Sequence, residues 1–438
     1  MAVTSGHPRG VTTPDLDAVR RLCAFIDASP SPYHAVSTAA DLLDAAGFTR
    51  LDERAAWADP SGSHYVIRDG SLVAWVVPAD SDAGPAQPWR LIGAHTDSPN
   101  LRVKPRPDTG RAGARQLGVE VYGGPLLNSW LDRDLGLSGR VGLVDGSTAL
   151  VLVDRPVVRI PQLAIHLDRE VNSAGLKLNA QAHLTPMWGL GEWKEGDFRS
   201  FLGSELGVDE GDIAAWEIMV HDLTPSRLIG RDDELLSAPR LDNLCSSWAA
   251  LEALVGVDGG PPATAAMVTL FDHEEIGSVS QEGAGSSIVE VILERIVGGI
   301  GGGAEDLRRA IAGSMCASAD MAHATHPNYS ERHEPGHWIE LNGGPVIKTN
   351  ASQRYATDAH SAAVFAGACQ RAGVPVQHFV SRNDMPCGST IGPITAARLG
   401  MATVDIGAPQ LAMHSARELT GAADPGMYTA ALGAFLRP

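Results

Sequence analysis

The sequence of 438 residues predicts an α/β fold, in which a mixed sheet is flanked by helices and carries a mainly β insertion. Three observations lead to this prediction. Compact apolar runs typical of buried strands alternate with apolar patterns of helical spacing. Polar side chains follow several of these runs directly. One stretch departs from this strand–helix order. It is rich in Val, Gly and short runs of alternating apolar and polar residues, which favours a separate set of strands.

Two helices and two short strands open the predicted fold. Apolar residues recur at helical spacing over Asp15–Asp27 and predict the first helix. A second helix is predicted to begin after the proline break at Pro32 and to end near Gly47. Short strands are predicted around Tyr65–Ile67 and Leu72–Val77 because both runs are apolar and rich in residues that favour strands.

Four later apolar runs each lead into polar side chains that can bind a metal ion. The runs are Arg90–Ala94, Met267–Phe271, Ser314–Ala319 and Thr403–Ile406. The polar groups that follow them are His95 to Asp97, Asp272 to Glu275, Asp320 and, after a short loop, His414. Helical patterns lie between the runs, at Ser246–Leu254, Ile288–Val297 and Ala359–Cys369. Because ligands bind beyond the carboxyl ends of the strands in such sheets, we expect a site at this edge.

The segment from residue 99 to residue 232 differs from the rest of the chain. It contains short alternating runs, such as Gly118–Tyr122, Gly139–Val144 and Ala149–Val153, that are typical of strands. We therefore predict a first α/β part at 1–98, an inserted β-rich part at 99–232 and a second α/β part at 233–438. The glycine cluster Gly298–Gly303 is predicted to be a flexible connector.

Composition and charge limit the classes of partner. Hydrophobic residues make up 44% and charged residues 20%, so the chain can bury a substantial core. The formal net charge is −18, and no cluster of Lys or Arg stands out. A negative field repels phosphate backbones and anionic lipid headgroups, so nucleic acid and membranes are not expected as partners.

The cysteines and the N-terminal residues indicate a reducing compartment. The five cysteines are scattered and show no C-x-x-C spacing, which argues against a disulfide framework and a zinc ribbon. No secretory signal precedes them, and no apolar run approaches the roughly 20 residues of a membrane helix. We expect a cytoplasmic protein.

The side chains that can bind metal comprise two imidazoles and three carboxylates. They are His95, Asp242, Glu275, Asp320 and His414. This set suits a pair of ions that share one bridging carboxylate, because zinc accepts both nitrogen and oxygen ligands. Two ions roughly 3.5–4 Å apart can activate a water and stabilise the oxyanion formed at a carbonyl. Manganese or cobalt would also accept the carboxylates, so zinc is the expected metal with these two as alternatives.

Two further carboxylates lie beside these candidates. Asp97 stands two positions after His95, where it can orient the imidazole. Glu274 directly precedes Glu275 and can act as the general base for a water held by the metals. A zincin helix is excluded here, because Gly277 stands where that motif requires its second histidine.

Several motifs in this order resemble the aspartyl aminopeptidase family of dinuclear zinc exopeptidases, from the first helix to near the C-terminus. In the α/β parts they are Gly93-Ala94-His95-Thr96-Asp97-Ser98-Pro99, Arg240-Leu241-Asp242-Asn243-Leu244, Phe271-Asp272-His273-Glu274-Glu275-Ile276-Gly277, Ser318-Ala319-Asp320-Met321-Ala322-His323 and Gln410-Leu411-Ala412-Met413-His414-Ser415. In the β-rich part they are Trp130-Leu131-Asp132-Arg133-Asp134-Leu135 and Ile160-Pro161-Gln162-Leu163-Ala164-Ile165-His166-Leu167.

The resemblance implies a role for each candidate. One metal would be held by His95 and Asp320 and the other by Glu275 and His414, with Asp242 bridging them. Glu274 would be the base and Asp97 the orienting group. The insertion would form dimer contacts, and its His166 would reach the active site of a neighbouring subunit to steady the substrate. The family commonly assembles from dimers into tetrahedral dodecamers, so the resemblance implies a homo-oligomer of this kind.

The resemblance also implies a substrate preference. Lys348 and Tyr355 lie in segments that look like the family's substrate loop, where the lysine would pair with an acidic first residue. The expected reaction is hydrolysis of N-terminal Asp or Glu from peptides with a free N-terminus. The alternatives are a broad or neutral-residue aminopeptidase, a related dinuclear amidase or carboxypeptidase, and a catalytically dead scaffold for assembly or binding.

Overall fold

The structure is a computed structural model that describes residues 14–78, 84–256 and 264–438. Its α-helices are α1 (Leu16–Asp27), α2 (Pro32–Ala45), α3 (Val171–Ala174), α4 (Ala180–His183), α5 (Asp197–Leu206), α6 (Leu241–Val255), α7 (Ile288–Gly299), α8 (Ala304–Gly313), α9 (Ala359–Ala372), α10 (Ile391–Leu399) and α11 (Asp424–Leu436). The first two begin where the sequence provides caps. The side chain of Asp15 accepts hydrogen bonds from the backbone at the start of α1, and Ser31 does the same for α2.

The β-strands of the described residues form three sheets. The strands are β1 (Thr49–Arg50), β2 (Gly62–Arg68), β3 (Ser71–Val77), β4 (Trp89–His95), β5 (Asn100–Arg111), β6 (Ala114–Tyr122), β7 (Leu135–Leu143), β8 (Thr148–Val158), β9 (Met187–Leu190), β10 (Ile213–Asp222), β11 (Arg227–Ile229), β12 (Leu235–Ala238), β13 (Ala265–Phe271), β14 (Met315–Ala319), β15 (Ala322–His323), β16 (Val346–Thr349), β17 (Gln377–Val380), β18 (Ala402–Gly407), β19 (Pro409–Leu411) and β20 (Glu418–Gly421).

The first sheet is mixed and has the order β1-β2-β3-β13-β4-β14-β18-β16-β17. Its centre is parallel, since β4 pairs in parallel with both β13 and β14, and β14 pairs in parallel with β18. The carboxyl ends of these four strands therefore meet at one edge of the sheet, as the sequence analysis expected.

Helices cover both faces of the first sheet. On one face the buried core includes Leu22 of α1, Val36 of α2 and Trp248 of α6, together with residues of α9 and α11. On the other face Ile292 of α7 and Ile391 of α10 pack with residues of α8. Strands buried on both faces read as continuous apolar runs, which explains why the sequence predicts them. The α/β prediction is confirmed.

The second sheet is antiparallel and has the order β8-β7-β10-β5-β6-β9. All its strands lie between Asn100 and Asp222, and its own core includes Leu137, Val153 and Phe198. The third sheet, β11-β12-β20-β19-β15, joins strands from distant parts of the chain. The division at 1–98, 99–232 and 233–438 stays a prediction.

The predicted glycine connector is partly helical. Within the predicted connector Gly298–Gly303, Gly298 and Gly299 are the last two residues of α7, and only the following residues form the turn into α8. The helix continues into these glycines because Ile292 and Ile296 bury its apolar face. Among the described residues, no helix combines the length and the apolar character needed to cross a membrane.

Candidate metal centre and substrate cavity

Three neighbouring strands bring four of the predicted side chains to one edge of the first sheet. His95 is the last residue of β4, Glu274 and Glu275 follow β13, and Asp320 follows β14. Because β13, β4 and β14 are adjacent and parallel, these side chains meet although they lie far apart in sequence.

Asp242 and His414 reach the same edge from other elements. Asp242 is extended, with φ −86° and ψ 101°, at the start of α6, and its carbonyl accepts a hydrogen bond from Ser98 Oγ at 2.7 Å. His414 follows β19 in a left-handed conformation, with φ 66°. The buried carboxylate of Glu418 accepts from the backbone N–H of Asp242 at 3.0 Å and of His414 at 2.7 Å. Glu418 therefore ties the two segments together.

Three candidate metal-binding groups lie among the described residues, one of them formed by His95, Glu274 and Glu275. The other two share Asp242 and together contain the five predicted metal ligands. In the first of these two groups, His95 Nε2 lies 3.3 Å from Asp242 Oδ1 and 3.8 Å from Asp320 Oδ1. In the second, His414 Nε2 lies 3.6 Å from Asp242 Oδ2 and 3.3 Å from Glu275 Oε2. Each group places its ligand atoms within 4.8 Å of one another, which is compatible with one cation in each.

Two oxygen atoms of this cluster have no hydrogen-bond partner among the described residues. They are Asp242 Oδ1 and Glu275 Oε1, and both are buried. A buried carboxylate oxygen without a partner is costly, because it has lost its hydration and gained nothing in return. Cations bound in the two groups that share Asp242 would satisfy both atoms. The donor set of imidazole nitrogens and carboxylate oxygens fits zinc.

The pKa values of the two glutamates reflect their burial beside other carboxylates. Burial, followed by the charge of Asp242, raises the pKa of Glu275 well above its ordinary value. Burial also raises the pKa of Glu274 to about 8, with Asp320 adding to the shift and His95 opposing it. Bound cations reverse this situation, because positive charge stabilises the ionised carboxylates. Glu274 would then be available as a base.

Asp97 supports both the imidazole and the glutamate pair. Its carbonyl oxygen lies 2.9 Å from His95 Nδ1, and its carboxylate lies 3.3 Å from the same nitrogen. The carboxylate also accepts from the backbone N–H groups of Glu274 and Glu275, both at 3.1 Å, and from Tyr122 Oη at 2.6 Å. With Nδ1 occupied, Nε2 of His95 faces the cluster.

A cavity of about 400 Å³ opens beside the cluster, and Glu274, Lys348 and Tyr355 line it. Lys348 is only 2% exposed, and its ammonium donates to the carbonyl oxygens of Asp320 at 2.9 Å and Met321 at 3.2 Å. The same nitrogen lies 5.2 Å from the ring centre of Tyr355. The two residues predicted for substrate binding thus lie together beside the candidate metal ligands.

His166 lies apart from this cavity in the same chain. It is exposed within a segment, residues 161–167, that also exposes Leu163, Ile165 and Leu167. The chain itself does not bring His166 to the cluster.

Two buried residues that contact the cluster were not predicted from the sequence. Tyr122 ends a correctly predicted strand, but its contact with Asp97 joins separate elements. Glu418 follows His414 by four positions, yet a single glutamate in a short strand gives no signal of its own.

Comparisons with known proteins identify the family of the chain. The family model described as aminopeptidase I zinc metalloprotease (M18) matches residues 25–436. The "Probable M18 family aminopeptidase 2" of Streptomyces coelicolor is 55% identical over 420 residues, which are 95% of this chain and 97% of the relative.

Solved structures have the same fold. A structure of the Ape4 and Nbr1 complex contains a chain that is 38% identical, with a TM-score of 0.91 over 96% of this chain and 86% of that one. The S. cerevisiae mApe1 dodecamer matches at 29% identity and a TM-score of 0.82, over 96% of each chain. The resemblance that the sequence motifs indicated is therefore confirmed: the chain belongs to the aminopeptidase I zinc metalloprotease (M18) family and is a peptide hydrolase.

Proposed function

We propose that this aminopeptidase uses two zinc ions to remove N-terminal residues, preferably Asp or Glu, from peptides with a free N-terminus. The observation that carries the proposal is the position of Asp242. Its two carboxylate oxygens face two different imidazoles, 3.3 Å from His95 Nε2 and 3.6 Å from His414 Nε2. A carboxylate in this position can bridge two ions, with Asp320 completing one site and Glu275 the other.

The ions, when bound, would supply a water of lowered pKa and positive charge for the peptide carbonyl. Glu274 would take the proton of that water; the proposal is supported by the 4.0 Å between Glu274 Oε2 and His95 Nε2 and by the position of Glu274 in the lining of the cavity. Glu274 would then pass the proton to the departing amine. Asp97 accepts a hydrogen bond from the backbone N–H of Glu274 and so fixes the backbone from which the Glu274 side chain extends.

The preference for acidic residues rests on Lys348. Its ammonium, which lies 3.9 Å from Asp320 Oδ2, is a positive charge at the cavity that can pair with a carboxylate of the substrate, and Tyr355 lies beside it. Apolar residues also line the cavity, namely Met321, Ile394 and Met413. These side chains favour the alternative, an aminopeptidase that accepts neutral residues on the same scaffold.

A homo-oligomer would supply the remaining catalytic group. His166 of a partner subunit would donate a hydrogen bond to the carbonyl oxygen as negative charge develops on it. The exposed leucines and isoleucine around His166 favour an interface there, because such apolar side chains are normally covered. By analogy with the mApe1 dodecamer, we propose dimers assembled into a tetrahedral dodecamer.

A panel of aminoacyl substrates tests the function directly. Enzyme stripped of metal by a chelator is restored with zinc, manganese or cobalt and assayed on Asp-, Glu- and Leu-peptides, each with a free or an acetylated amine. We expect metal-dependent cleavage of the free peptides with Asp and Glu fastest. Equal cleavage of acetylated peptides would contradict the aminopeptidase assignment, and faster cleavage of the Leu-peptide would favour the neutral alternative.

A further inference from the structure

The end of the second sheet contacts both halves of the candidate metal centre. Strand β6 ends at Tyr122, and the next residues, Gly123, Gly124, Pro125 and Leu126, run along the cluster. We call this five-residue stretch, residues 122–126, the bracing segment. It belongs to the β-rich part of the chain, whereas every candidate metal ligand lies outside that part.

Tyr122 acts on the half that contains His95. Its hydroxyl donates to Asp97 Oδ2 at 2.6 Å, and both side chains are buried. The guanidinium of Arg102 lies 3.7 Å from the centre of the Tyr122 ring and holds the ring in place. Because Asp97 lies 2.9 Å from His95 Nδ1 through its carbonyl oxygen and 3.3 Å through its carboxylate, fixing Asp97 fixes the imidazole.

The two glycines act on the half that contains His414. The carbonyl oxygen of Gly124 lies 3.0 Å from His414 Nδ1, which directs Nε2 towards Asp242 and Glu275. The backbone N–H of Leu126 donates to the His414 carbonyl at 2.9 Å. His414 is therefore hydrogen-bonded to the bracing segment through both its imidazole ring and its backbone carbonyl.

Gly123 permits the close approach that these contacts need. It has a φ of +70°, and a Cβ atom added there would lie 3.2 Å from Glu275 Cβ. Any other residue at this position would be strained and would press on a candidate metal ligand.

We propose that the bracing segment positions the ligands of both metal sites, so that metal affinity depends on how the second sheet docks against the first. This inference rests on the proposed dinuclear centre. Partners of a ligating imidazole commonly change metal affinity by roughly 10- to 100-fold when they are removed. The β-rich part thus contributes to the metal centre within its own subunit, in addition to any contact it makes between subunits.

The test compares two substitutions in the segment with two matched controls. Tyr122→Phe removes only the hydroxyl. Its control is Tyr65→Phe, which removes a hydrogen bond of 2.7 Å from the Tyr65 hydroxyl to the Asp44 carboxylate, outside the metal centre. Gly123→Ala adds only a methyl group, and its control is Gly113→Ala. Gly113, in the turn between β5 and β6, has a similar φ of +79°, but a Cβ atom there would meet nothing within 4 Å.

Zinc affinity of the full-length protein is measured by competition with a chromophoric chelator, and the absorption spectrum of the cobalt-substituted protein reports ligand geometry. We expect Tyr122→Phe and Gly123→Ala each to weaken at least one zinc equivalent by 10-fold or more and to change the cobalt spectrum. Both controls should match the wild type in affinity and spectrum. Melting of the metal-free proteins identifies any variant that has lost its fold.

The outcomes separate this inference from the proposed function. Wild-type protein that binds fewer than two zinc equivalents would contradict the dinuclear centre itself. Wild-type protein that binds two equivalents, with Tyr122→Phe and Gly123→Ala folded and unchanged in affinity and spectrum, would overturn only the positioning role. Equal weakening of zinc binding in the two control variants would also overturn the positioning role, since the loss of affinity would then reflect general stability.

Discussion

The ammonium of Lys348 donates a hydrogen bond to the carbonyl oxygen of Asp320 at 2.9 Å. The ammonium donates a second hydrogen bond to the carbonyl oxygen of Met321, and the lysine is almost entirely buried. The residue proposed to recognise an acidic substrate therefore also holds the backbone of a candidate metal ligand. Substituting it will have two consequences, and only a comparison between substrates separates them.

We predict that Lys348→Met lowers kcat/KM on all peptides but lowers it far more on Asp- and Glu-peptides than on Leu-peptides. Loss of the bonds to residues 320 and 321 affects every substrate, whereas loss of the ion pair affects only the acidic ones. Charge-assisted hydrogen bonds contribute roughly 1.5–3 kcal/mol, so the acidic-to-neutral ratio should fall by about 10- to 100-fold. An unchanged ratio would remove Lys348 from substrate selection.

Replacing the proposed base should separate turnover from metal binding. We predict that Glu274→Gln keeps two zinc equivalents and loses about 10²- to 10⁴-fold in kcat, because the amide cannot accept the proton. Glu275→Gln is the matched comparison, since Glu275 faces His414 and should lose metal as well as activity. Elemental analysis and steady-state kinetics on both proteins decide. Near-normal kcat in Glu274→Gln would contradict its role.

Metal stoichiometry should depend on which ligand is removed. Asp242 takes part in both groups, whereas His414 takes part in one. We predict that Asp242→Ala binds neither zinc ion tightly and that His414→Ala retains one. Isothermal titration of the metal-free proteins gives the number of sites. Two tight sites in Asp242→Ala would show that its carboxylate does not bridge.

Mixing inactive subunits tests the proposed role of His166 across an interface. His166→Ala and Glu274→Gln should each be inactive alone. After unfolding and refolding together, a mixed dimer has one site with an intact Glu274 and an intact His166 from its partner, so activity should return. Two His166→Ala preparations mixed in the same way are the control. Failure to recover activity in an assembled oligomer, or monomers in light scattering, would contradict the shared site.

A buried histidine should make the protein sensitive to acid. Burial, followed by the charge of Arg240, lowers the pKa of His34 from 6.5 to about 4. Between these two values the unfolded chain binds a proton at His34 and the folded chain does not, so the free energy of unfolding falls as the pH falls through this window. Below about pH 4 the contribution of neutral His34 to the free energy of unfolding is completely lost.

We predict that from pH 7 to pH 4.5 the wild type loses about 2–3 kcal/mol more stability than His34→Gln, measured by urea unfolding. Both proteins carry the same metal-centre groups, so their difference isolates position 34. The glutamine can still hydrogen-bond to Ser31, whose hydroxyl lies 2.7 Å from His34 Nδ1. Equal losses in the two proteins would show that His34 is protonated as readily in the folded chain as in the unfolded one.

The sequence alone was sufficient for the α/β fold and for the strands that lead to the candidate site. Continuous apolar runs such as Met267–Phe271 are what strands buried on both faces require, and the polar groups after them stand out for that reason. The runs do not show the strand order. That β4 lies between β13 and β14 follows from packing between distant segments, and it is this order that brings His95 beside Asp320.

The contacts that hold the candidate ligands in place were decided by the tertiary structure. Tyr122 reaches Asp97 across 25 positions, Glu418 reaches Asp242 across 176, and Gly124 reaches His414 across 290. Local periodicity reports which face of an element is buried, but it carries no information about which distant polar group will satisfy a buried partner. The residue types able to bind metal could therefore be identified from the sequence, whereas the orientation of their side chains depends on how the sheets pack together.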